Sequence, residues 1–526
     1  MTRSGRSILS YLSGTLLSVV TMACGFIATP LLVRWLGSEQ LGAFRAAIEW
    51  IGYLALLQLG MGQALLPLLA RAVSQQDGLG IRAAMAAGFG VYRWVMLVSV
   101  LGWLLLALLM PRLVHVGPEL VGGLRAGLML GVLSCILIPL SPLQALAEAS
   151  QRSYVANVAI LLQGVAITAA SVFFAWRGWG LFGQFVALLA GAAVLSLVLA
   201  WDTHRCHPGV LPLVLRSMPD ASHARQQLWR LNTPAMVLNT CRRIATGSDS
   251  IIIAFLLGPA AVVPFFITQR LATIAQVQLG NVGLATWAPL VDLRHSGQQD
   301  LFVHRLIEMT RLTMILGLAV ILPIILFNRP FVTLWVGPEQ FGGGLLTVLV
   351  AMNAVAGAVL SSWMLIYNGL GLAHRVVAVT VIGSAVNLLA SILGTKFLGL
   401  AGPAIGTTVM LSLTCVWTPL LLRRDLQIPL GSLCGALVIP VALATLCGAG
   451  VLILVPTWTR APGWITLAFR MLVTAAGFLL LAWFLVLDRS ERTMWIQRLR
   501  GFLPRSAPQL EGASPAATAP PGAINQ

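Results

Sequence analysis

The sequence VGPE occurs twice in this chain, at residues 116–119 and again at residues 336–339, an offset of 220 residues. The tripeptide QLG repeats at the same offset, at residues 58–60 and 278–280. Two unrelated short motifs that recur at one spacing are the usual sign of an internal duplication.

Two looser matches have nearly the same spacing, at offsets of 219 and 221 residues. GLFG at residues 180–183 aligns with GLAG at residues 399–402, and the pair Leu-Gly at residues 36–37 aligns with the pair at residues 257–258. The four matches occur in the same order in both parts of the chain. The sequence therefore predicts two homologous halves.

The composition places both halves in a membrane. Of the 526 residues, 58% are hydrophobic and only 9% are charged, whereas soluble domains are about one quarter charged. Apolar runs of about 20 residues, long enough to cross a bilayer, predict fourteen spans. These are Ile8 to Val33, Leu41 to Leu69, Ala83 to Met110, Gly122 to Leu146, Tyr154 to Phe174, Leu181 to Ala200, Leu231 to Leu257, Ala260 to Leu290, Leu306 to Phe327, Leu345 to Leu365, Val376 to Leu393, Ala404 to Leu421, Leu433 to Val455 and Ile465 to Leu487.

The repeat and the spans together predict an all-α polytopic membrane protein. Each half has six spans, and because six is even both halves enter the membrane in the same sense. This arrangement predicts two six-helix lobes, related by a pseudo-twofold axis along the membrane normal, and two extra C-terminal helices. In parallel-repeat transporters of this kind the substrate site lies between the lobes. The predicted divisions are an N-terminal lobe at 1–200, a cytoplasmic linker at 201–229, a C-terminal lobe at 230–422, two extra helices at 423–488, and a cytoplasmic tail at 489–526 that is largely disordered from 506.

The basic residues predict the orientation. With the N-terminus inside, the cytoplasmic ends and loops carry 19 of the 33 basic residues and the outer loops carry six, as the positive-inside rule requires. Both termini are therefore predicted to be cytoplasmic. Because juxtamembrane arginines fix orientation and contact anionic membrane lipids, the net charge of +17 does not call for a nucleic-acid partner.

The remaining eight basic residues lie inside or at the margins of spans, and several share a helix face. In the seventh span, LNTCRRIATGSDSIII at residues 238–253 places four polar side chains within a sector of about 120°. These are Asn239, Arg242, Arg243 and Asp249.

The second and eighth spans carry similar polar faces, and the offset of 220 aligns Glu49 with Gln269. In the second span the residues are Arg45, Glu49, Tyr53 and Gln63, and in the eighth they are Gln269, Arg270 and Gln276. Charged side chains at the bilayer centre cost at least about 2.5–3.5 kcal/mol and so face protein or water. We expect these faces, joined by Arg93 and Arg125, to line a water-filled cationic cavity between the lobes.

An alternative is that Arg242, Arg243 and Asp249 only neutralise one another in a buried network. For any single residue this interpretation is as good as a binding role. The whole set favours binding, because the spans contain eight basic residues but few acidic ones, chiefly Glu49, Glu148, Asp249 and Glu308. Unneutralised positive charge in a membrane cavity predicts an anionic substrate.

Three stretches of the chain resemble a known family. PLLVRWLGSEQLGAFRA at residues 30–46 and LQLGMGQALLPLLAR at residues 57–71 are similar to the opening helices of the polysaccharide flippases, the Wzx-like proteins. GLAGPAIGT at residues 399–407 is similar to the start of their twelfth helix. The pattern is shared with the wider superfamily of MATE exporters and lipid II flippases.

The resemblance implies a secondary transporter of the bacterial inner membrane. Its expected substrate is an anionic undecaprenyl-diphosphate-linked oligosaccharide for cell-surface polysaccharide biosynthesis, flipped by alternating access and coupled to an H⁺ or Na⁺ gradient. Asp249 and Glu49 are the candidate coupling groups, although each could instead simply pair with a neighbouring arginine. The polysaccharide polymerase machinery is a candidate partner.

Three other classes stay open. A lipid II flippase would share the fold, and so would a MATE-like drug or cation antiporter, although cationic drugs favour acidic cavities. An enzyme of the same pathway would need catalytic groups, yet no catalytic, metal-ligand or nucleotide-binding spacing stands out. We therefore expect no catalytic activity, no cofactor and no metal.

Overall fold

A computed structural model describes residues 3–58, 61–214, 240, 243, 247–454, 463–487 and 489–502. In this part of the chain the regular structure is entirely helical. The first half holds α1 (Arg3–Leu54), α2 (Met61–Ser74), α3 (Gly78–Leu113), α4 (Pro118–Ser134), α5 (Pro142–Ala149), α6 (Ser153–Trp176) and α7 (Gly180–Cys206). The second half holds α8 (Asp249–Leu257), α9 (Val262–His295), α10 (Gln299–Val336), α11 (Gly344–Gly369), α12 (Ala373–Leu398) and α13 (Gly402–Leu426), followed by α14 (Leu430–Leu454), α15 (Trp464–Leu485) and α16 (Arg489–Phe502).

Eleven helical stretches of the described residues are long and apolar enough to cross a membrane, which makes this a multi-pass membrane protein. The fourteen predicted spans map onto them with three differences. The first span and the second span as far as Leu54 lie in the single helix α1. Helices α12 and α13 run together as one stretch, and the greater part of the seventh span lies outside the described residues. The apolar segments themselves are where the sequence predicts them.

Glycine turns divide these long stretches. At Gly37 (φ 75°, ψ 168°) α1 is not helical, so the two predicted spans meet there at a sharp bend. Gly258, its counterpart in the sequence repeat, has φ 90° and ends α8. Glycine adopts positive φ without the steric cost that a Cβ imposes. The repeated Leu-Gly pair therefore marks the same turn in each half.

Two predicted spans are wrong in being drawn as continuous helices. The second, Leu41 to Leu69, is interrupted because α1 ends at Leu54 and a 3-10 turn follows before α2 begins. The fourth, Gly122 to Leu146, is interrupted by a 3-10 turn between α4 and α5. Pro139 and Pro142 lie at this second break, and proline cannot donate the backbone bond that a continuous helix needs.

The two halves meet at the end of the bundle that carries the repeated motifs, which we call the motif end and define by residues 37–42, 116–119, 258–261 and 336–340. The Gln340 amide donates a hydrogen bond to the Ser38 hydroxyl, with 3.0 Å between Nε2 and Oγ. A Cβ added at Gly42 would lie 1.8 Å from the carbonyl oxygen of Pro259. The backbones of the two halves therefore touch at this end.

A hydrophobic cluster extends this contact toward the middle of the bundle. It contains first-half side chains such as Phe44 and Phe185, and second-half side chains such as Ile253 and Phe265. At the opposite end a separate cluster around Leu65, built on α2, α3 and α5, consists of first-half residues alone. The described apolar clusters therefore join the halves toward the motif end.

The first part of the predicted linker is structured. Helix α7 continues to Cys206, and a 3-10 turn follows at Leu211–Val214. Val210 is 2% exposed and packs with the cluster around Leu65. His207, which the sequence suggests is a solvated surface residue, forms a hydrogen bond of 3.2 Å with the Ser150 hydroxyl.

Helix α16 is attached to the bundle by charge. Arg311 of α10 donates two hydrogen bonds to the Glu491 carboxylate, at 2.8 and 2.7 Å, and Glu491 is buried. The sequence instead suggests that Arg311 extends to the membrane surface and that the segment around Glu491 lies there as a basic amphipathic helix. A carboxylate on α16 satisfies Arg311, so it does not need to reach water.

Candidate functional site

An ion pair joins the two halves in the middle of the bundle. Arg243 donates a hydrogen bond to Glu49 of α1, with 2.7 Å between Nη2 and Oε2, and the two side chains are 31% and 28% exposed. The Arg243 guanidinium also lies 5.9 Å from the centre of the Tyr53 ring. Glu49 and Tyr53 are one helical turn apart, so they present adjacent contacts to the same arginine.

A glycine makes this ion pair possible. A Cβ added at Gly52 would lie 1.8 Å from Nη2 of Arg243, so any larger residue would displace the guanidinium. Gly247 is close to the same side chain, and an added Cβ there would lie 2.9 Å from Nε. Arg243 therefore reaches Glu49 across a surface of α1 that has no side chain. The polar face of the helix does not by itself indicate this role of Gly52.

Two further guanidinium groups share one aromatic ring. The Cζ atom of Arg45 on α1 lies 3.6 Å from the centre of the Phe266 ring on α9, and that of Arg270 lies 5.7 Å from it. Among the described residues no carboxylate forms an ion pair with either arginine. The Nε atom of Arg270 is buried and has no hydrogen-bond partner among the residues that the structure describes. Two positive groups from different halves thus lie close together, and no carboxylate in the described ranges is in ion-pair contact with them.

Arg270 also depends on a glycine. A Cβ added at Gly25 of α1 would lie 2.3 Å from Nη2 of Arg270. This arginine of the second half therefore packs directly against the backbone of the first. Neither Phe266 nor Gly25 stands out in the sequence, because an apolar ring and a small residue in a membrane span are ordinary lipid-facing or packing residues.

Asp249 is the first residue of α8 and is only partly buried. Its Oδ1 atom is buried and has no hydrogen-bond partner in the described part of the structure. It is close enough to Glu49 and to Tyr53 for their charges to interact. The N-terminal position on the helix favours a negative charge there, because the helix dipole is positive at that end. The two predicted coupling groups are therefore neighbours.

The glutamines of α9 lie along the same helix but differ in surroundings. Gln269 is half-buried, whereas Gln276 is exposed. A Cβ added at Gly357 of α11 would lie 2.6 Å from Nε2 of Gln276. The Thr273 hydroxyl between them donates to the carbonyl oxygen of Gln269. Gln269 is thus the nearer of the two to Phe266 and Arg270 along the chain.

The other predicted site residues are dispersed or lie outside the described residues. Arg93 is half-buried on α3 and Arg125 is exposed on α4, and no contact among the described residues links Arg125 to the Glu49–Arg243 pair. Asn239, Arg242 and the side chain of Gln63 are outside the part that the structure describes. The site is therefore formed around Arg45, Glu49 and Arg243 with residues of α8 and α9.

The net positive charge of the described residues at this site is smaller than the composition alone suggests. Arg243 is neutralised by Glu49, and elsewhere Glu308 pairs with Arg305 at 2.5 Å. The carboxylate of Asp249 lies near Glu49. What remains among the described residues is a pair of guanidinium groups, Arg45 and Arg270, that form no ion pair. Such a pair can bind a phosphate or diphosphate with two planar donor edges.

An apolar cavity of about 390 Å³ lies apart from the charged site, within the second half. Helices α10, α11, α13 and α14 line it, through residues such as Leu318, Met352, Cys415 and Val441. Its lining is almost entirely hydrophobic. A dry cavity of this kind accepts hydrocarbon rather than a charged or sugar group.

Solved structures share this fold at low sequence identity. The structure of "Lipid II flippase MurJ, inward closed conformation" superposes with a TM-score of 0.69 at 13% identity, covering 93% of this chain and 99% of that one. An inward-facing multidrug resistance MATE family transporter of the MOP superfamily gives 0.66 at 16% identity, covering 80% and 98%. A MOP superfamily transporter from Pyrococcus furiosus gives 0.53 at 15% identity, covering 80% and 95%.

The helical architecture is therefore that of a MOP superfamily transporter. No curated protein sequence matches the chain. Residues 6–291, more than half of it, match the polysaccharide biosynthesis protein family. The chain belongs to this family, and its long apolar helices make it a multi-pass membrane protein.

Proposed function

We propose that the protein flips an anionic undecaprenyl-diphosphate-linked oligosaccharide across the bacterial inner membrane for cell-surface polysaccharide biosynthesis. The observation that carries this proposal is the pair Arg45 and Arg270, contributed by different halves and without a carboxylate partner among the described residues. A diphosphate supplies the negative charge that this pair lacks. Guanidinium groups bind phosphate oxygens bidentately, which gives both affinity and orientation.

The architecture that we propose for this function has fourteen membrane crossings. Residues 1–200 form one six-helix lobe and residues 230–422 the other, related by a pseudo-twofold axis along the membrane normal, with a linker at 201–229 and two extra helices at 423–488. Both termini are cytoplasmic, which places the motif end on the outer side. The sequence repeat supports this division, because its motifs recur in the same turns of each half.

The way in which the halves touch supports alternating access. Contacts between them, such as Gln340 with Ser38, lie at the motif end, and the cluster around Leu65 at the opposite end belongs to one half. The proposed cycle separates the halves at the motif end and brings them together at the other. Arg45 and Arg270 stay near the middle throughout and pass the diphosphate from one side to the other.

The coupling ion binds in the proposed cycle at Asp249 and Glu49. Asp249 has an unpartnered buried oxygen, and a proton or Na⁺ bound there would remove a negative charge beside the arginines. Because a ligand shifts an equilibrium only by its differential affinity for the states, this change of charge couples the ion to the substrate. The apolar cavity lined by Leu318 and Val441 is where the polyprenyl chain would enter the protein.

The proposed function is tested by removing the protein and identifying the lipid-linked intermediate that accumulates. The expected result is an undecaprenyl-diphosphate oligosaccharide retained in the cytoplasmic leaflet, with surface glycan reduced. Restoring the unaltered chain should clear the intermediate, whereas a double Arg45→Gln, Arg270→Gln chain at equal protein level should not. Accumulation of lipid II would establish the peptidoglycan precursor as substrate instead, and no accumulation at all would exclude both.

A further inference from the structure

Each half of the chain carries an arginine and an aspartate fifty residues apart at the ends of a helical hairpin. In the first half Arg152 precedes α6 and Asp202 lies near the end of α7. In the second half Arg375 lies in the first turn of α12 and Asp425 in the last turn of α13. Each hairpin packs its two helices closely along their length. The two pairs thus lie at the same end of corresponding hairpins, and the second is shifted by three residues from the repeat offset of 220.

The first-half pair is formed. The Arg152 guanidinium donates to the Asp202 carboxylate in an ion pair, and the Asp202 side chain is only 10% exposed. The adjacent hydrogen bond between Ser150 and His207 joins the same two segments. Together these contacts fix the turn before α6 to the end of α7.

The second-half pair is not formed. Among the described residues no ion pair connects Arg375 to Asp425, and Arg375 is exposed. The Oδ2 atom of Asp425 is buried and has no hydrogen-bond partner in this part of the chain, and the same holds for the hydroxyl of Tyr367 on α11. Tyr367 is nevertheless near enough to feel the charges of both Asp425 and Arg375. A buried polar group without a partner is unfavourable.

A different contact holds the end of α13. The Gln299 amide at the start of α10 donates to the carbonyl oxygen of Leu426, with 2.7 Å between the atoms, and Arg294 donates to Gln299 in turn. Leu426 is the residue after Asp425. The end of α13 is thus tied to the α9–α10 turn in this conformation, while its carboxylate remains unpaired.

We propose that Arg375 and Asp425 are positioning residues that form a latch, the counterpart of Arg152 and Asp202, which is open in this conformation and closes in another state of the transport cycle. The proposal rests on the alternating-access cycle proposed above. Closing the latch gives Asp425 its missing partner and fixes the turn before α12 to the end of α13. Since this contact exists in one state only, it biases the equilibrium between states.

Charge exchange tests the pairing. Arg375→Asp and Asp425→Arg should each lower transport about tenfold, within the range expected for coupled charges in contact, and the double exchange should recover most of the loss. The matched control is the exchange of Arg152 and Asp202, which should show the same recovery. If transport by the double variant, at normal protein level, showed the sum of the two single losses and no recovery, the pairing of Arg375 with Asp425 would be overturned.

Thiol cross-linking tests the change of state and needs no substrate. In a chain without its native cysteines, Arg375→Cys with Asp425→Cys should cross-link to a low yield in the resting protein and to a severalfold higher yield when a pH or Na⁺ gradient is imposed. Arg152→Cys with Asp202→Cys should cross-link equally in both conditions. A yield for the second-half pair that does not change would overturn the latch, whatever lipid the protein carries.

Discussion

Arg243 and Glu49 form an ion pair of 2.7 Å between the two halves of the bundle, and Gly52 leaves the space in which it forms. This pair neutralises one arginine of the site, whereas Arg45 and Arg270 form no ion pair within the described residues. The charge that an anion would meet is therefore set by which arginines have carboxylate partners.

Gly52→Ala should break this ion pair. The added methyl group would overlap Nη2 of Arg243, so the guanidinium must move and the unfolding free energy should fall by about 1–3 kcal/mol. Thermal unfolding of the purified protein measures the change. Gly164→Ala is the control, because an added Cβ there meets nothing within 4 Å, and its midpoint should be equal or higher. Equal midpoints for the two variants would contradict the tight contact.

Phe266→Leu should weaken the site without changing its charge. The ring contacts two guanidinium groups, and each such contact contributes about 0.5–2 kcal/mol. We expect lower affinity for a diphosphate lipid and little change in protein level. Phe397→Leu, at a ring that is 76% exposed, is the matched control. If both substitutions had the same effect on binding, the ring would have no role in holding the arginines.

Asp249→Asn and Glu49→Gln should reduce transport that is driven by an imposed gradient. Both changes keep the shape of the side chain and remove the negative charge that a proton or Na⁺ would bind. Transport into vesicles with a pH gradient and with a Na⁺ gradient identifies the ion, since only the coupling gradient should lose its effect. If gradient-driven transport persisted in both variants, neither residue would be the coupling group.

His207 should make folding stability depend on pH. Burial lowers the pKa of its imidazole below the ordinary value of 6.5, the charge of Arg152 lowers it further, and Asp202 opposes both effects. The unfolded chain therefore binds the proton more readily, so this stabilisation is fully present above about pH 6.5 and is lost as pH falls through the folded-state pKa.

When the pH is lowered from about 7 to about 5, the melting temperature of the unaltered protein should therefore decrease by a few degrees more than that of His207→Gln. His204→Gln, at an exposed residue of α7, should behave like the unaltered chain. Parallel pH profiles for the unaltered chain and His207→Gln would show that the hydrogen bond with Ser150 carries no such dependence.

The membrane helices could be predicted from the sequence because their cause is local. A run of about 20 apolar residues is stable as a helix in lipid wherever it occurs. The breaks were harder to predict. The helix that includes Leu54 ends there although the apolar run continues, since apolar residues are equally compatible with the 3-10 turn that follows.

The site could be predicted only in part, because partners depend on tertiary contacts. The polar face of α1 includes Glu49 and Tyr53, which both lie close to Arg243 of the second half. Nothing near Arg311 in the sequence indicates that its partner is Glu491, 180 residues away. Likewise Gly25 and Gly52 become significant only when an arginine from another helix is known to lie against them.

The most direct test is the binding of undecaprenyl diphosphate to the purified protein. Arg45→Gln and Arg270→Gln should each lower the affinity about tenfold or more, since a hydrogen bond to a charged group contributes about 1.5–3 kcal/mol. Arg329→Gln, at an exposed arginine of α10, should leave the affinity unchanged. Equal affinity in the unaltered chain and both site variants would contradict the assignment of Arg45 and Arg270 to the diphosphate.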